Sequence, residues 1–282
     1  MAVKNQLAKA QSKPTFSAYI SSDAIRARIN QMVGSKDGPR FITAVISAVS
    51  VNPALSECDH ASIVSCALLG EALGLSPSPQ LGQYYMVPYE DKDRGLIAQF
   101  QLGYKGYIQL AIRSGYYKKI NVLSIKEGEL VKYDPLEEII EVNLMDDEEA
   151  REAAPSMGYY AMFEYHNGFR KTLYWSKAKM EAHALKYSKG YASDKRKGTA
   201  WTFWSKDFDG MAYKTMLRQL ISKWGIMSIE LQKAFESDTA VVNESGNVQF
   251  VEESQDVPQI TQDTEPAPDP EPAVVSEASF FD

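Results

Sequence analysis

An α+β fold is what this sequence predicts, on three observations. Apolar residues recur at helical spacing through residues 22–74. Farther on, two pairs of β-rich segments flank turn sequences. At Glu236 the composition then breaks into an acidic, proline-bearing segment. The expected architecture is a set of N-terminal helices, antiparallel β-hairpins packed with helices, and a disordered acidic C-terminal tail. In domain terms this means a flexible arm at 1–14, one folded domain at 15–235, and the tail at 236–282.

Ser22 is placed to cap a first helix, whose Ile25, Ile29 and Met32 share a face before Gly34. Pro39 suits the first position of a second, with Phe41, Ile42, Val45 and Val49 along one side until Asn52-Pro53. Asp59 caps a third, which carries Ile63, Cys66, Leu69 and Leu73 and ends near Gly74. Residues 83–88 and 96–102 read as strands joined by a polar turn, and 104–114 returns to helical period with Gly115 at its C-terminal cap. Residues 117–124 and 129–133 are extended. Residues 157–165 and 169–175 form the strongest hairpin signal, around His166-Asn167-Gly168. Ser176 caps a helix to about residue 187. A Gly- and Lys-rich loop at 189–198 then leads to a long helix starting at Trp201 or Ser205 and ending at Trp224, and to a short one at 228–235.

Charge is distributed unevenly. The formal net charge of the 282 residues is -7, from 30 Lys and Arg against 37 Asp and Glu. Twelve of those acids lie in 236–282 with no basic residue, so 1–235 is net positive. Nine more acids, with Arg151 alone opposing them, crowd 134–152. The rest of the body is strongly basic and suits an anionic partner. The tail has five prolines and three phenylalanines among its 47 residues, too little apolar area to offset chain entropy. No apolar run is long enough to span a bilayer, and no secretory leader is visible, so a cytoplasmic location is expected. Cys58 and Cys66 have neither metal-pair nor disulfide spacing and read as buried thiols.

The residues argue against an enzyme. His60, His166 and His183 are scattered, no phosphate-binding GxxxxGK[ST] loop exists, and no catalytic or metal constellation is visible, so neither a cofactor nor a metal is expected. Asp91 and Asp93 are the sole seat for a Mg²⁺-dependent nuclease, and a solvated turn explains them better. A basic and aromatic pattern remains. Lys105 and Arg113 fall on one arc of the 104–114 helix, Tyr104 and Tyr107 lie on its other side, and Lys118 and Lys119 follow directly. Lys186, Lys189 and Arg196 surround the glycine-bearing loop, and Lys206, Lys214 and Arg218 share an arc of the long helix. Cations at such positions neutralise phosphates, while tyrosine rings stack on unpaired bases regardless of sequence. Trp201 and Trp204 are ambiguous, with core the favoured reading for a tryptophan near a helix start.

Several blocks also resemble, in order and spacing, the phage RecT family of single-strand annealing proteins. They are Gly74-Leu75-Ser76-Pro77, Leu81 through Tyr89, Leu102-Gly103-Tyr104-Lys105-Gly106 and Ala111-Ile112-Arg113-Ser114-Gly115. The later ones are Trp201 through Trp204, Met211-Ala212-Tyr213-Lys214-Thr215 and Leu217-Arg218-Gln219-Leu220. The resemblance implies an ATP-independent recombinase that binds single-stranded DNA, pairs complementary strands through an annealing duplex intermediate, and forms homo-oligomeric rings or helical filaments. It carries a DNA-contact role onto Lys105, Arg113, Lys214 and Arg218. Partners of that kind include a phage exonuclease and a host single-strand-binding protein, in a bacterial cytoplasm and without a membrane. The rival readings are a passive protector of single strands and the nuclease.

Overall fold

Thr15 opens the first helix, its hydroxyl accepting from the Ala18 amide to cap α1 (Phe16–Ile20). The computed structural model describes residues 14–91, 93–238, 240–242 and 248–250. Nearly all of the expected arm, and 251–282 of the expected tail, lie outside them. Then come α2 (Asp23–Val33), closed by Gly34, and α3 (Gly38–Val51), with Pro39 in its first turn. After a 3-10 turn at Pro53–Glu57, the Asp59 carboxylate accepts from the Ser62 amide at 2.9 Å and caps α4 (His60–Ala72). Every residue from Ser62 to Gly70 of α4 is buried, which makes it the central helix of this half. Burial pushes the Cys58 thiol up to about 11 and that of Cys66 higher still, so both are packing groups.

β1 (Tyr84–Asp91) and β2 (Gly95–Leu102) pair antiparallel against α4. Gly70 permits that approach, because a Cβ there would stand 2.3 Å from the buried Tyr84 ring. α5 (Tyr104–Arg113) follows at once, then β3 (Tyr117–Lys126). The acidic stretch, unassigned from sequence, contains most of a second hairpin, β4 (Leu130–Asp134) with β5 (Ile139–Val142), and the short α6 (Glu148–Ala153). Arg151 is consumed there: its Nε donates at 2.6 Å to the fully buried Glu129. β6 (Ser156–Tyr165) and β7 (Arg170–Ser176) complete a three-stranded antiparallel sheet in the order β3-β6-β7.

α7 (Lys177–Tyr187) is capped by Ser176 as expected. The expected Gly- and Lys-rich loop is instead α8 (Lys189–Lys197). The Ser188 hydroxyl caps it, Tyr191 and Asp194 anchor its inner side, and Gly198, in the left-handed region at φ 68°, ends it. The long helix also begins later than expected. A four-residue helix, α9 (Phe203–Lys206), precedes it, and the Asp207 side chain caps α10 (Phe208–Trp224) through the Gly210 amide. α10 packs across the three-stranded sheet and α5, burying Ala212, Met216, Leu217, Leu220 and Ile221 in the main core with Tyr159, Ala161 and Phe163. Each such fully buried large side chain contributes about 1.5–3 kcal/mol. α11 (Ile229–Ser237) packs on α5 and β2, and β8 (Ala240–Val242), paired with β9 (Val248–Phe250), lies beside β2 and α4. The boundary expected after residue 235 therefore falls inside α11, and Ser237 and Asp238 beyond it are buried.

Candidate nucleic-acid interface

Lys105 stands at the start of α5 on its solvent side, with Nζ 6.0 Å from the centre of the half-buried Tyr104 ring. Tyr104 meets Tyr213 of α10 edge-on at 5.5 Å. Gly82, with φ 60°, lies under this corner: a Cβ there would sit 3.1 Å from the Tyr85 hydroxyl and 3.4 Å from Lys105 Cδ. Tyr85 in turn packs at 5.5 Å on Phe203 of α9, whose next turn exposes Lys206. Burial, then the nearby Asp207 carboxylate, raises the pKa of both Tyr85 and Tyr104, so both stay neutral phenols. Among the described residues, neither Lys105 nor Lys206 forms an ion pair. Three elements distant in sequence thus bring together two half-buried tyrosine rings, the exposed Phe203 ring and ammonium groups that form no ion pair among the described residues. Tyr85 and Phe203 are additions the sequence reading missed, since nothing local joins residue 85 to residue 203.

Other expected cations are placed differently. Arg113, eight residues along α5, donates from Nη1 to the Gly74 carbonyl at 3.0 Å and from Nη2 to the Leu73 carbonyl at 2.5 Å. It caps the C-terminal end of α4, where carbonyls lack helical partners. Lys118 pairs with Glu164 at 2.5 Å across β3 and β6, with Lys119 exposed beside it. Both lie at the start of β3, about 20 Å by strand rise from Ser124 near its other end. Lys186, Lys189 and Arg196 are exposed at the corner of α7 and α8, which Lys195 and Glu181 tie together at 2.7 Å.

Three expected contact residues are turned inward. Lys214 Nζ lies 3.0 Å from Asp238 Oδ1, and Arg218 Nη1 lies 2.6 Å from Asp238 Oδ2. The hydroxyl of the fully buried Tyr107 donates to the same carboxylate at 2.9 Å, as does the Leu102 amide. Burial penalises the Asp238 carboxylate, but Lys214 and Arg218 outweigh that and hold its pKa below the usual range. Of the arc drawn from sequence only Lys214 and Arg218 share α10, where they face α5 and α11; Lys206 falls in α9, on the other side of the Asp207 cap, and is exposed. In this structure Tyr107, Lys214 and Arg218 act as the joint between α5, α10 and the segment after α11.

The tryptophans divide. Trp204 is buried against Tyr191 and Phe208, in keeping with the core reading, whereas Trp201 is 78% exposed. Asp194, missed in the sequence reading, separates them by accepting hydrogen bonds from the 199–205 segment. Its signal was a lone acid within a lysine run, followed by Thr199, Thr202 and Ser205.

No group of three or more His, Cys, Asp or Glu side chains among the described residues is arranged to hold a metal. His60 packs between Phe16 and Tyr19, and His183 between Trp175 and Tyr187. Asp91 Oδ1 accepts from the Asp93 and Arg94 amides at 2.9 Å, which makes it a turn residue. No described helix is long and apolar enough to cross a membrane.

Fold and face together define an α+β protein with a basic, aromatic surface suited to a polyanion that carries ring systems. The sequence model of the RecT family matches residues 39–258, and the chain belongs to that family. In general terms the family comprises phage-type single-strand annealing proteins of DNA recombination, which are generally not catalytic enzymes. Over 239 residues the chain is 41% identical to the uncharacterized protein YqaK of Bacillus subtilis (strain 168), covering 82% of this chain and 77% of that one. Over 202 residues it is 29% identical to protein RecT of Escherichia coli (strain K12), covering 71% and 70%.

Proposed function

We propose that this protein binds single-stranded DNA on the face of Tyr85, Tyr104, Lys105, Phe203 and Lys206, and anneals complementary strands without a nucleotide cofactor. The observation that carries the reading is the convergence of unpaired lysines with the half-buried rings of β1 and α5 and the exposed ring of α9 in a chain of this family. The lysines neutralise phosphates and release counterions, and the rings accept bases of any sequence. Base pairing selects the product. The protein contributes proximity and suppresses the repulsion between strands. The exposed cations at the corner of α7 and α8, with Lys118 and Lys119, extend the basic surface available to a second strand or a second copy. A homo-oligomer, ring or filament, on the annealing duplex intermediate is part of the proposal, as are an exonuclease and a host single-strand-binding protein as partners.

The test mixes complementary oligonucleotides with the full chain, without ATP, and follows pairing by fluorescence. Faster pairing than in buffer is expected, with loss of the acceleration in Lys105→Glu/Lys206→Glu. Binding without acceleration would establish the passive protector instead, and shortened labelled strands would establish the nuclease.

A further inference from the structure

An indole left in water forfeits one of the largest burial gains available to a side chain, so a tryptophan held out by an ordered backbone calls for an explanation. Trp201 is such a residue. The residue is 78% exposed, yet its amide donates to Asp194 Oδ2 at 3.0 Å and the next amide, of Thr202, donates to the same oxygen at 2.9 Å. The Thr202 and Ser205 hydroxyls reach that oxygen at 2.8 and 2.7 Å, and the Thr199 hydroxyl reaches Oδ1 at 2.6 Å. The Thr199 amide closes the turn on the Asp194 carbonyl at 3.0 Å. Gly190 of α8 lies against this loop, since a Cβ there would come within 2.8 Å of the Thr202 methyl. A buried carboxylate thus fixes the backbone on both sides of an exposed ring.

The ring's location gives it a use. Phe203, two residues on and so within about 7 Å along the chain, packs on Tyr85 beside Lys105. Lys195, Arg196 and Lys197 close the preceding helix, and Lys206 follows in the next turn. Cations near in sequence thus flank an exposed indole whose backbone is held, with Arg196, Lys197 and Lys206 exposed. That combination fits a nucleobase better than an apolar protein surface, which would require the neighbouring ammonium groups to shed water without pairing.

We infer that Trp201 is the stacking platform for one unpaired base, and that Asp194 is the positioning residue that holds it there. The inference rests on the reading of this face as a single-strand site. It assigns Trp201 the base and leaves the lysines the phosphates.

The test measures affinity of the full chain, at one salt concentration, for oligo-dT and for a length-matched strand of abasic deoxyribose phosphate. Trp201→Leu should weaken oligo-dT binding roughly 5- to 100-fold, the range of one base stacked on one ring, and leave abasic binding unchanged. Trp201→Phe should retain most of the affinity, because it keeps a ring. Asp194→Asn should lose the same base-dependent part, with abasic binding preserved. A strand carrying 2-aminopurine should be quenched by the wild-type protein and not by Trp201→Leu. Equal weakening toward both strands, or none toward either, would overturn the inference while leaving the single-strand site standing. It would also fall if Trp201→Leu altered sedimentation of the free protein with the base preference intact, since the ring would then be a contact between copies. Wild-type protein binding neither strand would remove the single-strand site and this inference together.

Discussion

Asp238 receives Lys214 at 3.0 Å from a position 24 residues downstream, and by doing so converts a cation assigned to DNA into a buried structural group. Arg218 and Tyr107 share the same carboxylate. Removing that carboxylate leaves two cations facing each other out of water. Asp238→Ala should cost about 3–5 kcal/mol in chemical denaturation, the usual penalty for breaking a buried pair. A loss under 1 kcal/mol would mean that water reaches the cluster.

The same cluster fixes where the chain can be cut. Deletion from Glu236 removes Asp238 and β8, and should give a protein with a much lower melting temperature. Deletion from residue 251 removes nine acids and no base. It should melt like the full chain and bind single strands more tightly at low salt, where charge competition is least screened. Equal melting of the two truncations would contradict the role given to Asp238.

Acid sensitivity follows from two carboxylates. The Asp194 pKa is held below its ordinary value by the Thr199 hydroxyl first and the Thr202 amide next, and that of Asp238 by Lys214 and Arg218 against its own burial. Both folded values lie below the unfolded one, so the stability they contribute is present above the unfolded pKa and is lost as pH falls through the folded values. Melting temperature should change little between pH 8 and 5 on their account and drop below about pH 4, the ordinary carboxylate value. Asp194→Asn should flatten that acid limb. An unchanged limb would show that other groups set it.

Lys105 and Arg113, paired by sequence, should separate by experiment. Lys105→Glu is expected to weaken single-strand binding, to lower the salt slope by about one, and to leave the melting temperature unchanged. Arg113→Glu should lower the melting temperature, because it places a carboxylate against the Leu73 and Gly74 carbonyls. If Arg113→Glu melts normally and binds as poorly as Lys105→Glu, the cap is not its main role.

Changing Asp91 and Asp93 together to Ala should leave annealing intact, because Asp91 serves the turn amides. Loss of annealing in a normally melting double variant would restore a metal-ion reading of this hairpin.

The sequence by itself determined what is local. Capping residues, Gly115 and the Asn167-Gly168 turn set the helix and strand limits, because a few neighbouring dihedrals and hydrogen bonds decide them. The clamp of Thr199, Thr202 and Ser205 on Asp194 went unread, because its carboxylate stood in a stretch read as loop. Tertiary structure alone decided which faces meet water. Helical spacing places Lys214 and Arg218 on one arc, yet only the return of the chain at Asp238 shows that the arc is turned inward, with Lys214 buried and Arg218 half-buried. Trp201 and Trp204 come from one short motif and end on opposite sides of the surface, because the bonds to Asp194 fix the backbone between them. Exposure is a property of what packs against a residue, and those partners here lie up to 136 residues away, as Leu102 and Asp238 do.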